Sequence, residues 1–339
     1  TEAVQTNCHI ADAGFATDFT LCIYLMKMRE FYRWEKGFGF TDTLPQSEVG
    51  QWLRQREELW ESLEHTDYTP IAVDEHEFDP FHTDEINQKL IPQGYVYSGG
   101  LGYQSKPHFF LAKLESQRQE DDFTILVTHE EMARDLSSPP AMTLGKTIFI
   151  RRESLRRILW EKVEQWNWNK PDNPMARAIA MYDFAHDVET SLDKMTANEL
   201  TAVLMHETGE VKAGNLLGEE WEAMLIELPR SRAEFMLRAI RDHLADALAT
   251  LPYLVDADNE ASIHFYLGNL SNMRKDLFPR IKNVYQEWLD SHSLKPFKQI
   301  IEISHDHWLT VAEQALTIFR QHDPDWVKQV DSMIEANRL

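Results

Sequence analysis

The feature that most constrains this chain is a run of acidic and imidazole side chains at helical spacing between Met195 and about Met224. At about 100° per residue, Glu199, His206 and Glu210 fall on one narrow stripe of a helix. The same stripe carries the apolar residues Val203, Ala213, Leu217 and Trp221. The stripe is therefore expected to face a core. Buried charge is costly unless it is paired or bound to a metal, so this helix predicts either a buried ion pair or a metal site.

Composition favours a mostly helical protein with a sizeable core. The 339 residues include only 13 Gly and 14 Pro, and 43% of them are hydrophobic, which argues against wholesale disorder. Helical spacing of apolar residues dominates both ends of the chain, and short β-type runs lie between them. We therefore expect a mainly α fold with an N-terminal helical hairpin over 1–68, a small α+β insert over 69–151 and a C-terminal helical bundle over 152–339.

Local patterns give finer boundaries. One helix is predicted over 11–36 and a second over 47–64, and the sheet is expected only between about 94 and 151. Within that range the run Thr128-His-Glu-Glu131 matches a capping box and predicts a short helix to Leu136. The Gly-rich segment 98–107 predicts a hairpin turn between two strands. Further helices are predicted over 154–166, 174–192, 195–224, 231–251, 258–277, 280–292, 296–321 and 323–337.

Charge limits the classes of partner. The chain has 34 basic and 56 acidic residues and a net charge of −22, so we expect it not to bind nucleic acid or anionic membranes. No apolar run reaches membrane-spanning length and no basic-then-apolar leader opens the chain. We expect a cytoplasmic protein, with a protein partner or self-association as the remaining classes of interaction.

Two cysteines make no disulfide framework. Cys22 is expected to be buried and Cys8 exposed.

Several predicted helices carry an acid or an imidazole on or beside an apolar stripe. The central helix offers His206 and Glu210, with Glu199 above them, and the next one offers His243. Another offers Glu260 and His264 four residues apart, and the first helix offers Glu30. Inward-facing Glu and His residues across a helical bundle form carboxylate-bridged di-iron and di-manganese sites. The candidate metal ligands are His206, Glu210, Glu260, His264, Glu199 and Glu30, with iron or manganese as the expected metal.

Each candidate also has a structural interpretation. Arg29 and Arg33 flank Glu30 and could pair with it. The run Thr196-Ala-Asn-Glu199 fits a capping box, and Glu260 would stand in a first helical turn, where an acid is favoured. A buried His–Glu pair needs no metal. The alternative function is therefore that of a non-catalytic interaction or scaffold protein whose acid–imidazole pairs only fix the register of its helices.

Two family resemblances rest on this stretch. Glu199-x6-His206 together with Glu260-x3-His264 resembles the ligand helices of heme-oxygenase-like di-iron oxidases, over residues from about 153 onward. This resemblance implies an all-helical fold, ligands on those residues and activation of dioxygen. The run His206-Glu207-Thr-Gly-Glu210 also resembles a zincin motif, with Glu210 where the second histidine stands. That resemblance implies zinc on His206 and Glu207 as a general base.

Overall fold

A computed structural model describes residues 1–102, 106–120, 122–229 and 231–339. The protein is mainly α-helical, as predicted. The chain divides into two compact units. Unit 1 comprises Thr1–Trp168 and Asp183–Thr196, and unit 2 comprises Asn169–Tyr182 and Ala197–Leu339. The long helix α7 (Val188–Leu217) begins in unit 1 and continues into unit 2.

Unit 1 combines helices with a sheet. Its helices are α1 (Glu2–Phe15), α2 (Leu21–Lys36), α3 (Gln46–Leu63), α4 (Thr83–Leu90), α5 (Arg152–Asn169, which continues one residue past the unit) and the start of α7. Its strands are β1 (Ile71–Val73), β2 (His76–Phe78), β3 (Tyr95–Leu101), β4 (Pro107–Gln119), β5 (Thr124–Arg134), β6 (Ala141–Leu144) and β7 (Thr147–Arg151). Residues 1–68 therefore hold three helices rather than a two-helix hairpin.

The main sheet has five strands in the order β3-β4-β5-β7-β6. All neighbouring pairs are antiparallel except β5 and β7, which run parallel. Register shifts between β4 and β5 near Ala112 and Leu114 mark a bulge. Buried aromatic and aliphatic side chains fill one part of its core, namely Val96, Phe110, Ala112, Leu126 and Phe149. Strands β3 and β4 form an antiparallel pair, as a hairpin requires. Residues 103–105, which belong to the segment predicted as its turn, lie outside the described residues.

Several predicted boundaries in unit 1 are wrong. The helix predicted over 11–36 is two helices, because a 3-10 turn at Ala16–Asp18 and an extended Thr20 separate α1 from α2. The helix predicted from Thr128 is part of strand β5, since hydrogen bonding to β4 and β7 overrides the local capping pattern. The pair β1 and β2 lies before residue 94, outside the range predicted for the sheet.

The expected exposure of the cysteines is reversed. Cys8 is fully buried and its thiol donates to the carbonyl of Phe109, whereas Cys22 is exposed. The chain enters its first helix at Glu2, nine residues before the predicted start, so Cys8 belongs to the buried face of α1. Polar residues, including Asn7 and Asp12, are also buried on α1. The spacing of apolar residues alone therefore does not identify the buried face of this helix.

Unit 2 is built from helices. Besides the rest of α7 these are α6 (Pro174–Ala180), α8 (Glu219–Glu227), α9 (Arg232–Ala245), α10 (Leu251–Asp256), α11 (Glu260–Asn269), α12 (Asn272–Leu277), α13 (Pro279–Ser291), α14 (Lys295–Arg320) and α15 (Trp326–Ala336). One turn of π-helix, Asp246–Thr250, joins α9 to α10. The core contains large buried side chains such as Trp221, Phe278, Phe297 and Trp308.

Several helices predicted in unit 2 are shorter than expected. The central helix ends at Leu217 because Gly218 adopts a left-handed φ of 74°. The helix predicted over 258–277 breaks at Leu270, and Ser271 caps α12 by accepting from the N–H of Arg274. The helix predicted over 174–192 stops at Ala180, and α7 begins at Val188. Among the described residues, no helix has both the length and the apolarity needed to cross a membrane.

Candidate metal centre in unit 2

The candidate site forms where helix α7 crosses the end of α9. Gly209 permits this crossing. A Cβ atom at Gly209 would lie 2.8 Å from the carbonyl carbon of Ala245 and closer still to its oxygen. The π-helical turn begins at the next residue, Asp246. Single π-turns inside α-helices are frequent at functional sites, and this one aligns the end of α9 with the stripe of α7 that carries His206 and Glu210.

Asp246 accepts hydrogen bonds from three side chains at the site. It is fully buried, and its Oδ1 accepts from Nδ1 of His206 at 2.8 Å. Its Oδ2 accepts from the hydroxyl of Tyr266 at 2.7 Å and from the guanidinium of Arg274. Burial raises the pKa of Asp246, but Arg274 and His206 outweigh that effect and hold it far below its usual range. Asp246 is therefore an ionised acceptor, and His206 must donate from Nδ1.

With Nδ1 engaged, Nε2 of His206 is the ring nitrogen left for another partner. It lies 3.6 Å from Oε1 of Glu210. One ligand atom each from His206, Glu210 and Asp242 lies within 4.8 Å of the others. The side chains of His206 and Glu210 are 29% and 24% exposed, so solvent can reach the group. Among the described residues, this is the group of metal-ligating side chains that converges.

Basic residues also reach the site. Arg241 donates to Glu210 at 3.3 Å and to Glu222 at 3.4 Å. Burial lowers the pKa of His206, but the surrounding carboxylates, Asp246 first among them, raise it to about 10. Burial also raises the pKa of Asp242. In the absence of a metal ion the imidazole of His206 is therefore protonated at neutral pH, and a cation that binds to Nε2 must displace its proton.

Glu199 lies on the same helix but has a different partner. It is 2% exposed, and its Oε1 accepts from the hydroxyl of Ser262 at 2.8 Å. Burial raises its pKa to about 7. The capping-box interpretation does not hold, because α7 begins at Val188 and Thr196 lies in its interior, where its hydroxyl bonds the carbonyl of Leu192.

The predicted pair on α11 does not join the group of His206, Glu210 and Asp242. Glu260 is exposed in the first turn of the helix. His264 is buried, and its Nδ1 lies 2.8 Å from the hydroxyl of Tyr285. Burial lowers the pKa of His264 to about 4, so it is a neutral core imidazole.

Two more predicted candidates have partners of their own. Glu30 belongs to unit 1, is 1% exposed, and pairs with Arg29 at 2.9 Å and Arg33 at 3.2 Å. This is the ion pair proposed as the structural interpretation. His243 stacks on Trp308 at 4.8 Å between ring centroids, and its Nε2 lies 3.0 Å from the carbonyl of Arg274.

Asp242 and Asp246 were not among the site residues predicted from the sequence. Both stand on the helix that follows Ser231, four residues apart, and the same helical spacing that singled out His206 and Glu210 could have found them. Asp246 was overlooked because it is flanked by alanines and has no nearby cation in sequence. Its partners Tyr266 and Arg274 are 20 and 28 residues further on. Glu207, the base implied by the zincin resemblance, is not part of the converging group.

Two family models match the chain. One family model, described as the N-terminal domain of a family of unknown function (DUF6866), matches residues 1–151. A second, described as the C-terminal domain of the same family, matches residues 156–337. No curated protein and no solved structure matches the chain. The chain therefore belongs to the family of unknown function DUF6866, of which it carries both the N-terminal and the C-terminal domain.

Proposed function

We propose that unit 2 binds one divalent transition-metal ion through His206, Glu210 and Asp242. The observation that carries this proposal is the convergence of one ligand atom each from His206, Glu210 and Asp242, while Nδ1 of the His206 ring is hydrogen-bonded to Asp246. A carboxylate that accepts from the free nitrogen of a ligating histidine is the usual outer support of metal sites, since it orients the ring and raises its basicity.

The distances suit a single ion. Metal bonds to nitrogen and carboxylate oxygen are about 2.0–2.2 Å long, so two ligand atoms on opposite sides of one ion are about 4.2 Å apart. The three ligand atoms already lie within 4.8 Å of one another, so small side-chain rotations would bring them into range. The other predicted ligands Glu199, Glu260 and His264 are engaged elsewhere or exposed, so we propose a mononuclear site.

The donor set favours iron or manganese. One imidazole and two carboxylates, without a thiolate, are intermediate in softness and suit Mn²⁺ and Fe²⁺. Three protein ligands would leave positions for water, substrate or dioxygen. A non-heme oxidoreductase needs such open positions, and we extend the proposal to that class of activity.

A second candidate function has its own support. Three acidic groups, Glu210, Asp242 and Asp246, face three basic groups, His206, Arg241 and Arg274. Such a network can be satisfied without an ion and would fix the register of α7 against α9. In that case the chain would be the interaction or scaffold protein considered from the sequence, with a protein partner or a second copy as its ligand.

Titration of the metal-free protein with Mn²⁺, and with Fe²⁺ under anaerobic conditions, separates the two candidates. We expect Asp242→Asn and Glu210→Gln to weaken binding by more than about 10-fold, because loss of an outer support alone costs about 10–100-fold. Glu260→Gln is the matched control, since Glu260 is exposed and outside the converging group. Its affinity should equal that of the wild type. Equal losses in Asp242→Asn and Glu260→Gln, or no binding by the wild type, would contradict the proposal.

A further inference from the structure

Glu199 on α7 is a buried carboxyl group that lies outside the proposed metal site. It is 2% exposed, and its Oε1 accepts from the hydroxyl of Ser262 on α11 at 2.8 Å. Asp246, which is also buried, has His206 and Arg274 as cationic partners. Among the described residues, no lysine, arginine or histidine forms an ion pair with Glu199. The partner that the structure gives this carboxyl group is therefore a neutral hydroxyl.

A single hydroxyl is a poor partner for an ionised carboxylate, which offers about four lone-pair sites to hydrogen-bond donors. The N–H of Ser262 does not add a second donor, because it donates to the side chain of Asn259, the residue that caps α11, at 3.3 Å. Burying a charge without a charged partner or several donors costs far more than burying a neutral acid. The geometry around Glu199 therefore favours the neutral carboxylic acid, whose carbonyl oxygen can accept from Ser262.

Ionisable groups on the adjoining elements do not compensate a charge on Glu199. Tyr182, which precedes α7, is a phenol whose pKa is raised by burial and by the charge of Glu199. On α11, Glu260 is exposed, and burial lowers the pKa of His264 to about 4. Arg177 lies on α6, which packs against α11, and its charge lowers the pKa of His264 further. Burial raises the pKa of Glu199 to about 7, against the opposing effect of its one hydrogen bond.

Helix α11 also contacts the candidate metal centre. Tyr266 lies one turn after Ser262 on this helix, and its hydroxyl donates to Asp246 at 2.7 Å. On α7, His206 lies two turns after Glu199 and donates to Asp246 from Nδ1. Helices α7 and α11 are therefore connected at two levels, directly through the carboxyl group of Glu199 and the hydroxyl of Ser262, and indirectly through Asp246.

We propose that Glu199 and Ser262 form a proton-dependent contact between α7 and α11, in which the neutral acid holds the start of α11 and the carboxylate releases it. When the acid gives its proton to solvent water, an unpaired charge is left in a setting with little water. Admission of water between the two helices relieves that cost and loosens α11. Tyr266 is then drawn away from Asp246, one of the groups that hold His206 in place. The contact exists without a metal ion, so its proton dependence does not require one.

Hydrogen exchange of the α11 amides in wild type and in Glu199→Gln, with chelator present, tests this contact. Glutamine keeps an acceptor for Ser262 and cannot ionise. Because the folded chain holds the proton more tightly than the unfolded chain, the contribution of the acid is present at low pH and is lost as the pH rises through about 7. We expect equal exchange rates at about pH 5, and at about pH 8 exchange at least about 10-fold faster in the wild type.

Glu302→Gln is the matched control, since Glu302 is exposed on α14 of the same unit. It should exchange like the wild type at both pH values. Equal rates in wild type and Glu199→Gln at the higher pH, or faster exchange confined to segments other than α11, would overturn the proposal.

Carbon-13 NMR of the side-chain carboxyl groups measures the proton on Glu199 directly, and its signal is the one that Glu199→Gln lacks. We expect a titration midpoint near pH 7 in the wild type. Ser262→Ala should move the midpoint to higher pH, because the hydroxyl of Ser262 stabilises the carboxylate form. A wild-type midpoint in the ordinary range of glutamate, about 4.3, or a shift to lower pH in Ser262→Ala, would contradict the proposed contact.

Discussion

Replacing Asp246 with alanine should destabilise metal-free unit 2 by about 3–5 kcal/mol, the cost of breaking a buried ion pair by removing one partner. Asp246 accepts hydrogen bonds from His206, Tyr266 and Arg274. Its removal leaves two cations and a hydroxyl without their shared acceptor in a setting with little water. Urea unfolding in the presence of a chelator measures the change in the free energy of unfolding.

Asp256→Ala is the matched control for this variant. Asp256 lies at the end of α10 and is exposed, so its replacement should change the free energy of unfolding by no more than about 0.5 kcal/mol. A loss below about 1 kcal/mol in Asp246→Ala would mean that the network around Asp246 contributes little, and that other contacts hold α9 and α10 in place.

Adding a methyl group at Gly209 should be the second largest perturbation. The new Cβ would overlap the backbone carbonyl of Ala245, and backbone cannot rotate away as a long side chain can. Overpacking of this kind costs about 1–3 kcal/mol, which outweighs the gain of about 1 kcal/mol that alanine has over glycine in a helix. Gly209→Ala should also weaken metal binding, because it separates the helices that carry His206 and Asp242.

Gly214 supplies a control on the same helix. Apart from its chain neighbours and the adjacent backbone of α7, no atom of the described residues lies within 4 Å of a Cβ built at Gly214. Gly214→Ala should therefore stabilise the protein by about 0.5–1 kcal/mol through helix propensity. Thermal and urea unfolding of the two variants should therefore shift in opposite directions. A stabilising effect at both positions would show that α7 and α9 tolerate a wider separation at Gly209.

The mainly helical character of the chain could be predicted because helical spacing of apolar residues reports on local structure. The errors arose where distant partners decide the conformation. Thr128-His-Glu-Glu131 has the local pattern of a helix start, but Glu131 is buried beside Arg151, and β4 and β7 supply the hydrogen bonds of a strand. In α1, polar residues at buried positions obscured the face that packs against β4, and this led to the reversed expectation for the cysteines.

The candidate site could be predicted in part for the same reason. His206 and Glu210 are neighbours on one helix, so their proximity follows from a spacing of four residues. The partners contributed by α9 depend on the approach at Gly209 and on the π-turn at Asp246, which no local pattern specifies. Glu199, His264 and Glu30 also face inward, but a hydroxyl or an arginine satisfies each of them. Spacing alone cannot distinguish such a partner from a metal.

The metal content of the wild-type chain is the most direct test of the proposed metal site. Protein purified without chelator, or reconstituted with Fe²⁺ or Mn²⁺ and freed of excess ion, should contain about one metal ion per chain by elemental analysis. Removal of that ion with a chelator should lower the melting temperature, because a ligand that binds only the folded state stabilises it by mass action. A chain that holds no metal after reconstitution, and whose melt is indifferent to chelator and to added iron, manganese or zinc, would contradict the metal site and leave the scaffold function.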